Sequence, residues 1–232
     1  MNTAHLALAV SLALATACTP NTPTETASAP PPPVDTAPPA QHAPAVHTPT
    51  ESMAAAPKLQ ADLRALWRGH IDHTRAYAMA VKGDKSTGAE AAAKGVVANA
   101  KEISAAVGSF YGDAAGGEML RLLSGHWAGI KAMTDAAAKG NEAGVQAGMD
   151  DAIANAGEIA KFLAGANPNL PETTVDGMMV THVQHHRAQI TEIMAGDTAA
   201  EAKTWTAMQA HMDALADALA GAIAKQFPDK AS

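Results

Sequence analysis

Beyond residue 57 the chain alternates long Ala-rich segments with short clusters of Gly, Asn, Asp and Pro. Within each long segment, apolar residues recur at spacings of three, four and seven. That spacing is the buried stripe of an amphipathic helix. Gly and Pro at the joints are helix stops and starts. Six helices are predicted, over about 58–82, 88–110, 117–139, 142–164, from Pro171 to Gly196-Asp197, and over 198–227 before Pro228. The joints are short, so consecutive helices should run antiparallel as hairpins.

The pattern also repeats. His70, His126 and His182 are each 56 residues apart, and Asn99, Asn155 and His211 keep the same step. Overlaying the three hairpins superposes Leu66, Leu122 and Met178, then Trp67, Leu123 and Met179, then Ile71, Trp127 and Val183. In the second helices Ala98, Ala154 and Ala210 superpose, as do Ile103, Ile159 and Leu215. Apolar type is preserved, so the fold expected is an all-α, six-helix bundle of three tandem hairpins. Composition agrees: the chain is Ala-rich and has only three Trp, two Tyr and three Phe, which favours helices over strands.

The part before the bundle reads differently. Residues 1–17 have the short apolar run of a secretory signal peptide, too short to span a bilayer. Leu14-Ala15-Thr16-Ala17-Cys18 resembles the lipobox of bacterial lipoproteins, which implies lipidation of Cys18, the only cysteine. Residues 19–57 hold 11 of the 14 prolines, mixed with Thr and Ala, and read as a disordered, extended tether. The folded domain is expected over 58–230. The implied location is the bacterial cell envelope, periplasmic or surface-facing, with a membrane contact through the lipid.

Charge and cysteine content remove several chemistries. The formal net charge is -7 and no basic patch is present, which argues against nucleic acid as a partner. The bundle has no cysteine, so disulfides, zinc ribbons and cysteine nucleophiles are excluded. There is no Ser-His-Asp arrangement, phosphate loop or His-Glu-x-x-His pattern. Eleven methionines suggest copper, but Met178 and Met179 fall where other repeats carry Leu and Trp, and Met119 matches Leu63 and Val175. These read as packing residues.

What remains is a polar layer. His70 lies 13 residues before Gly83 and Asn99 lies 16 after it; around Gly140 and Gly196 the counts are 14 and 15. Both arms of each hairpin therefore place a polar side chain roughly 20 Å from the turn. If the hairpins share an axis, His70, His126, His182, His211, Asn99 and Asn155 share one layer. His70, His126, His182 and His211 are the candidate metal ligands, with zinc or copper the ions suited to imidazole. Asn99, Asn155, Glu102, Glu158, His73 and His185 are candidates for orienting them or adding a ligand. His73, His185 and the adjacent His186 also read as half-exposed, solvated groups. In the competing reading the His and Asn side chains form a metal-free hydrogen-bond layer that fixes helix register.

Several segments resemble an uncharacterised family of small, exported bacterial helical proteins. They are Leu66-Trp67-Arg68-Gly69-His70 with Thr74-Arg75, Asn155 to Ile159, Met178 to His182, and Lys225-Gln226-Phe227-Pro228. The resemblance covers about residues 58–230 and implies the helical fold; it implies no activity. The function expected is a non-enzymatic, lipid-tethered metal-binding protein, the alternative a metal-free helical interaction or spacer module.

Overall fold

The computed structural model describes residues 56–231, and Cys18, the signal segment and the tether up to residue 55 lie outside the described residues. Six long helices follow in order: α1 (Pro57–Lys82), α2 (Ser86–Tyr111), α3 (Asp113–Ala137), α4 (Glu142–Ala166), α5 (Glu172–Ala195) and α6 (Thr198–Gln226). A single turn, α7 (Pro228–Ala231), ends the described chain. None of the described helices is long and apolar enough to cross a membrane.

Local chemistry explains the boundaries. Asn141 and Asp197 cap α4 and α6 by accepting the backbone N–H of Gly144 at 3.1 Å and of Ala200 at 2.9 Å. Pro57 occupies the first turn of α1, where its missing N–H costs nothing. Gly196 closes α5 at φ 75, a left-handed conformation that glycine adopts without strain. One expected boundary moves. α3 begins at Asp113, four residues before Gly117, because Gly112 alone turns the corner at φ 90. The chain stays helical through Gly116, where any Cβ would meet the Ser104 carbonyl oxygen at 2.9 Å.

The helices form two layers about one axis. α1, α3 and α5 touch one another, and each even-numbered helix packs between two of them: α2 against α1 and α3, α4 against α3 and α5, α6 against α5 and α1. The hairpins therefore close into a ring. Small residues permit the tightest crossing, between α3 and α4. A Cβ on Gly148 would lie 2.6 Å from the Met133 nitrogen, and one on Gly129 would lie 3.0 Å from the Ala152 nitrogen.

The seam between α6 and α1, which no loop joins, is laced by ion pairs. Arg64 Nε donates to Asp217 at 2.7 Å, Arg68 Nε to Asp213 at 2.7 Å, and Arg75 Nε and Nη2 to Glu201 at 2.6 and 2.8 Å. Each guanidinium binds its carboxylate through two nitrogens, the planar fork geometry that suits arginine. At one end of the bundle Phe227 packs against Phe110 and Tyr111, with ring centroids 5.9 and 5.1 Å apart. Gln226 Nε2 donates to the Ala166 carbonyl and Gln226 Oε1 accepts from Tyr111, so the Lys-Gln-Phe-Pro segment ties α6 to α2 and α4.

The expected core is buried at Leu122, Leu123, Ile71, Val183, Ile103, Ile159 and Leu215. Met119 and Met179 are buried packing residues, as their repeat positions imply. Ala98, Ala154 and Ala210 are instead exposed. Each precedes the repeated polar position by one residue, a step of about 100° around the helix, which turns it away from the axis.

Candidate metal centre

Four imidazoles meet on the bundle axis. They belong to His70 of α1, His126 of α3, and His182 and His186 of α5. Each ring is at most 2% exposed. One nitrogen from each lies within 4.8 Å of one from every other. His182 Nε2 and His186 Nε2 are 3.1 Å apart. The His126 and His182 rings stack with centroids 5.5 Å apart, and His70 lies 5.9 Å from His182.

The topology produces this convergence. The threefold step puts His70, His126 and His182 at one height on the three inner helices, so their side chains point at the common axis. His186 lies one turn beyond His182 on the same face, as residues at i and i+4 must. Its repeat equivalents are Thr74 and Ile130. Thr74 turns its hydroxyl back to the His70 carbonyl at 2.8 Å, so only α5 adds a second ring.

These rings are poor partners for one another. Five of their nitrogens are buried without any hydrogen-bond partner: Nδ1 of all four rings and Nε2 of His126. Burial disfavours the charged form of each ring. It pushes His70 down to about 3, helped by His126 and His73, and His126 down to about 4. Asn155 beside His126 acts weakly in the opposite direction, although neither His126 nitrogen makes a hydrogen bond of normal geometry. Burial, and then the neighbouring imidazoles, hold His182 and His186 well below the ordinary histidine range. All four are therefore neutral near pH 7, the protonation state a metal ligand requires.

The donor set fits a metal ion. Tetrahedral coordination at 2.0–2.1 Å needs ligand nitrogens about 3.3 Å apart. The His182–His186 edge is already at that spacing. The widest pair must draw in by up to about 1.5 Å, within reach of ring rotation at χ2. The buried four-histidine group can hold a metal.

Not every expected residue is there. His211 is absent from the cluster: its Nε2 lies 2.9 Å from the Met178 carbonyl oxygen. Asn99 does the same in the first hairpin, donating Nδ2 to the Leu66 carbonyl at 2.9 Å. Leu66 and Met178 each stand four residues before a cluster histidine, His70 and His182. Gly69 and Gly125 make room for the asparagines; a Cβ there would lie 3.1 Å from Asn99 Nδ2 and 2.9 Å from Asn155 Nδ2. Asn99 and His211, on the outer helices, reach inner-helix backbone instead of the axis, while Asn155 stands beside His126 with its Oδ1 unpartnered. Asn99 and Asn155 lie against Gly69 and Gly125, next to His70 and His126, without joining the cluster of rings. Asn99 and His211 thereby hold the turns from which His70 and His182 project.

Glu102 and Glu158 are exposed, and Glu158 lies 3.4 Å from Arg121. Neither orients a histidine: three residues past its asparagine, each is about 60° round the helix from that face, and both are exposed. His73 is half-buried with its ring over Gly95, and half-buried His185 lies edge-on to His211 at 5.3 Å. Neither reaches the cluster. His186, read from the sequence as solvated, is 1% exposed and belongs to it. The signal for it was present in His182-x-x-x-His186, a spacing that puts both rings on one helix face.

Set against known protein families, curated proteins and solved structures, the chain matches none of them.

Proposed function

We propose that this is a metal-binding protein of the bacterial cell envelope, tethered through a lipid on Cys18, in which His70, His126, His182 and His186 bind one zinc or copper ion. The observation that carries this reading is the convergence of four buried imidazoles, one nitrogen from each within 4.8 Å of one from every other. Each buried, unpaired polar group costs about 1–3 kcal/mol. A metal-free hydrogen-bond layer would pair these atoms with one another, yet only the His182–His186 contact joins two rings. A bound ion would take one nitrogen from each ring at once, including one from His126, whose two nitrogens are both unpaired.

Two further points bear on the chemistry. Four ligands fill a tetrahedral shell and leave no position for water or substrate, which favours binding over hydrolysis. The four donors are also neutral, and among the described residues no carboxylate joins them. The ion would keep its full charge in an apolar core, a cost that rises with the square of that charge. This favours Cu⁺ over Zn²⁺.

Equilibrium dialysis with elemental analysis tests the proposal. The parent chain should retain one ion, and His126→Ala and His186→Ala should lose it. If His70→Ala and His126→Ala retain as much metal as the parent, the proposal fails.

A further inference from the structure

The four cluster rings are closed off from solvent, so an ion cannot exchange its water for all four ligands in one step. Stripping it bare before the first imidazole is reached would cost several kcal/mol. A partly exposed imidazole at the wall would let hydration be replaced one ligand at a time. One place in the wall offers two.

Between α5 and α6, His185 and His211 are both half-buried, their rings edge-on with centroids 5.3 Å apart. His211 Nε2 faces the Met178 carbonyl oxygen, which can only accept. Nε2 therefore carries the proton and Nδ1 presents its lone pair. His185 Nδ1 is buried and has no partner. His185 is next in sequence to His186 and three residues after His182, and the carbonyl that pins His211 lies one turn before His182. The pair thus leans on the turns of α5 that carry half the cluster. The other hairpins lack it. His73 holds the matching position on α1 but packs over Gly95, and Gly129 holds it on α3.

We infer that His185 and His211 form a transit site, a two-imidazole port that takes a Zn²⁺ or Cu⁺ ion from the surface and passes it to His186 and His182. This rests on the cluster being a metal site. A port lowers the barrier in both directions and leaves the equilibrium untouched.

The decisive variant is His211→Asn. Asparagine stands at the same repeat position in the other two hairpins, and its amide can still donate to the Met178 carbonyl. The full chain is loaded from a Zn²⁺-charged chromophoric chelator, with Cu⁺ in a parallel arm, and unloaded into excess chelator. His211→Asn and His185→Gln should each still bind one ion at equilibrium. Both uptake and release should slow by about tenfold, the change that about 1.4 kcal/mol of lost ligation in the transition state produces. His73→Gln should load at the parental rate. Parental rates in His211→Asn, or a loss of stoichiometry there, overturn the port. A parent chain that binds neither ion overturns the metal reading itself, and the port falls with it.

Discussion

His182 Nε2 and His186 Nε2 face each other across 3.1 Å on one side of α5, and this pair breaks the threefold symmetry of the bundle. The other two repeats place Thr74 and Ile130 where His186 stands. Restoring the symmetry with His186→Ile should remove a buried polar group and gain apolar packing. The metal-free protein should become more stable by about 1–3 kcal/mol, while metal affinity falls by tenfold or more. Urea unfolding in the presence of a chelator, paired with a competition titration, reads both. A variant that loses stability in the chelator would show that the ring is held by protein contacts alone.

Acid should destabilise the metal-free protein early. The cluster histidines have folded-state values below the unfolded value of about 6.5, with His126 near 4 and His70 near 3. Between those limits the unfolded chain binds more protons than the folded one, so stability is present above pH 6.5 and lost as pH falls. Each such histidine contributes a slope of about 1.4 kcal/mol per pH unit. Melting temperature measured from pH 7.5 to 4.5 should fall steadily, and His126→Leu should flatten the curve.

Metal should raise the melting temperature. At a free concentration of one hundred times Kd, a native-state ligand adds about 2.7 kcal/mol, or roughly 5–10 °C for a domain of this size. Trp67 gives a local reporter, since its ring stands edge-on to His70 at 5.9 Å. Loading should change tryptophan emission in the parent and much less in Trp67→Phe. Calorimetry with and without chelator that shows no shift would contradict a bound ion.

Ring closure at the α1–α6 seam rests on Glu201, which is 5% exposed, accepts from Arg75 and Gln189, and is held below the usual carboxylate range chiefly by Arg75. Glu201→Gln leaves a partly buried guanidinium without its anion. Arg75 also stacks over Trp205 at 4.8 Å and keeps some solvent access, so the expected loss is about 1–3 kcal/mol, short of a fully buried pair. Chemical denaturation checks it.

Gly148→Ala should be costly for its size. The added methyl would sit 2.6 Å from the Met133 backbone nitrogen and must push α3 and α4 apart. A loss of about 1–3 kcal/mol is expected, against a gain of up to about 1 kcal/mol had the position been open. Gly165→Ala, where nothing lies within 4 Å, is the control.

The 3.6-residue apolar period, the Gly and Pro stops and the 56-residue step were enough to determine six helices in three hairpins. They also put His70, His126 and His182 at one height. These are local or repeated features, and repetition turns them into a symmetric arrangement without knowledge of distant contacts. Which helices lie inside was not legible, because both helices of each hairpin carry an apolar stripe of similar strength. Packing alone put α1, α3 and α5 on the axis and α2, α4 and α6 outside. That choice sent Asn99 and His211 to backbone carbonyls and turned Glu102 and Glu158 to solvent. It also drew His186 inward, since a ring one turn from His182 shares its face and must be buried when that face meets the axis.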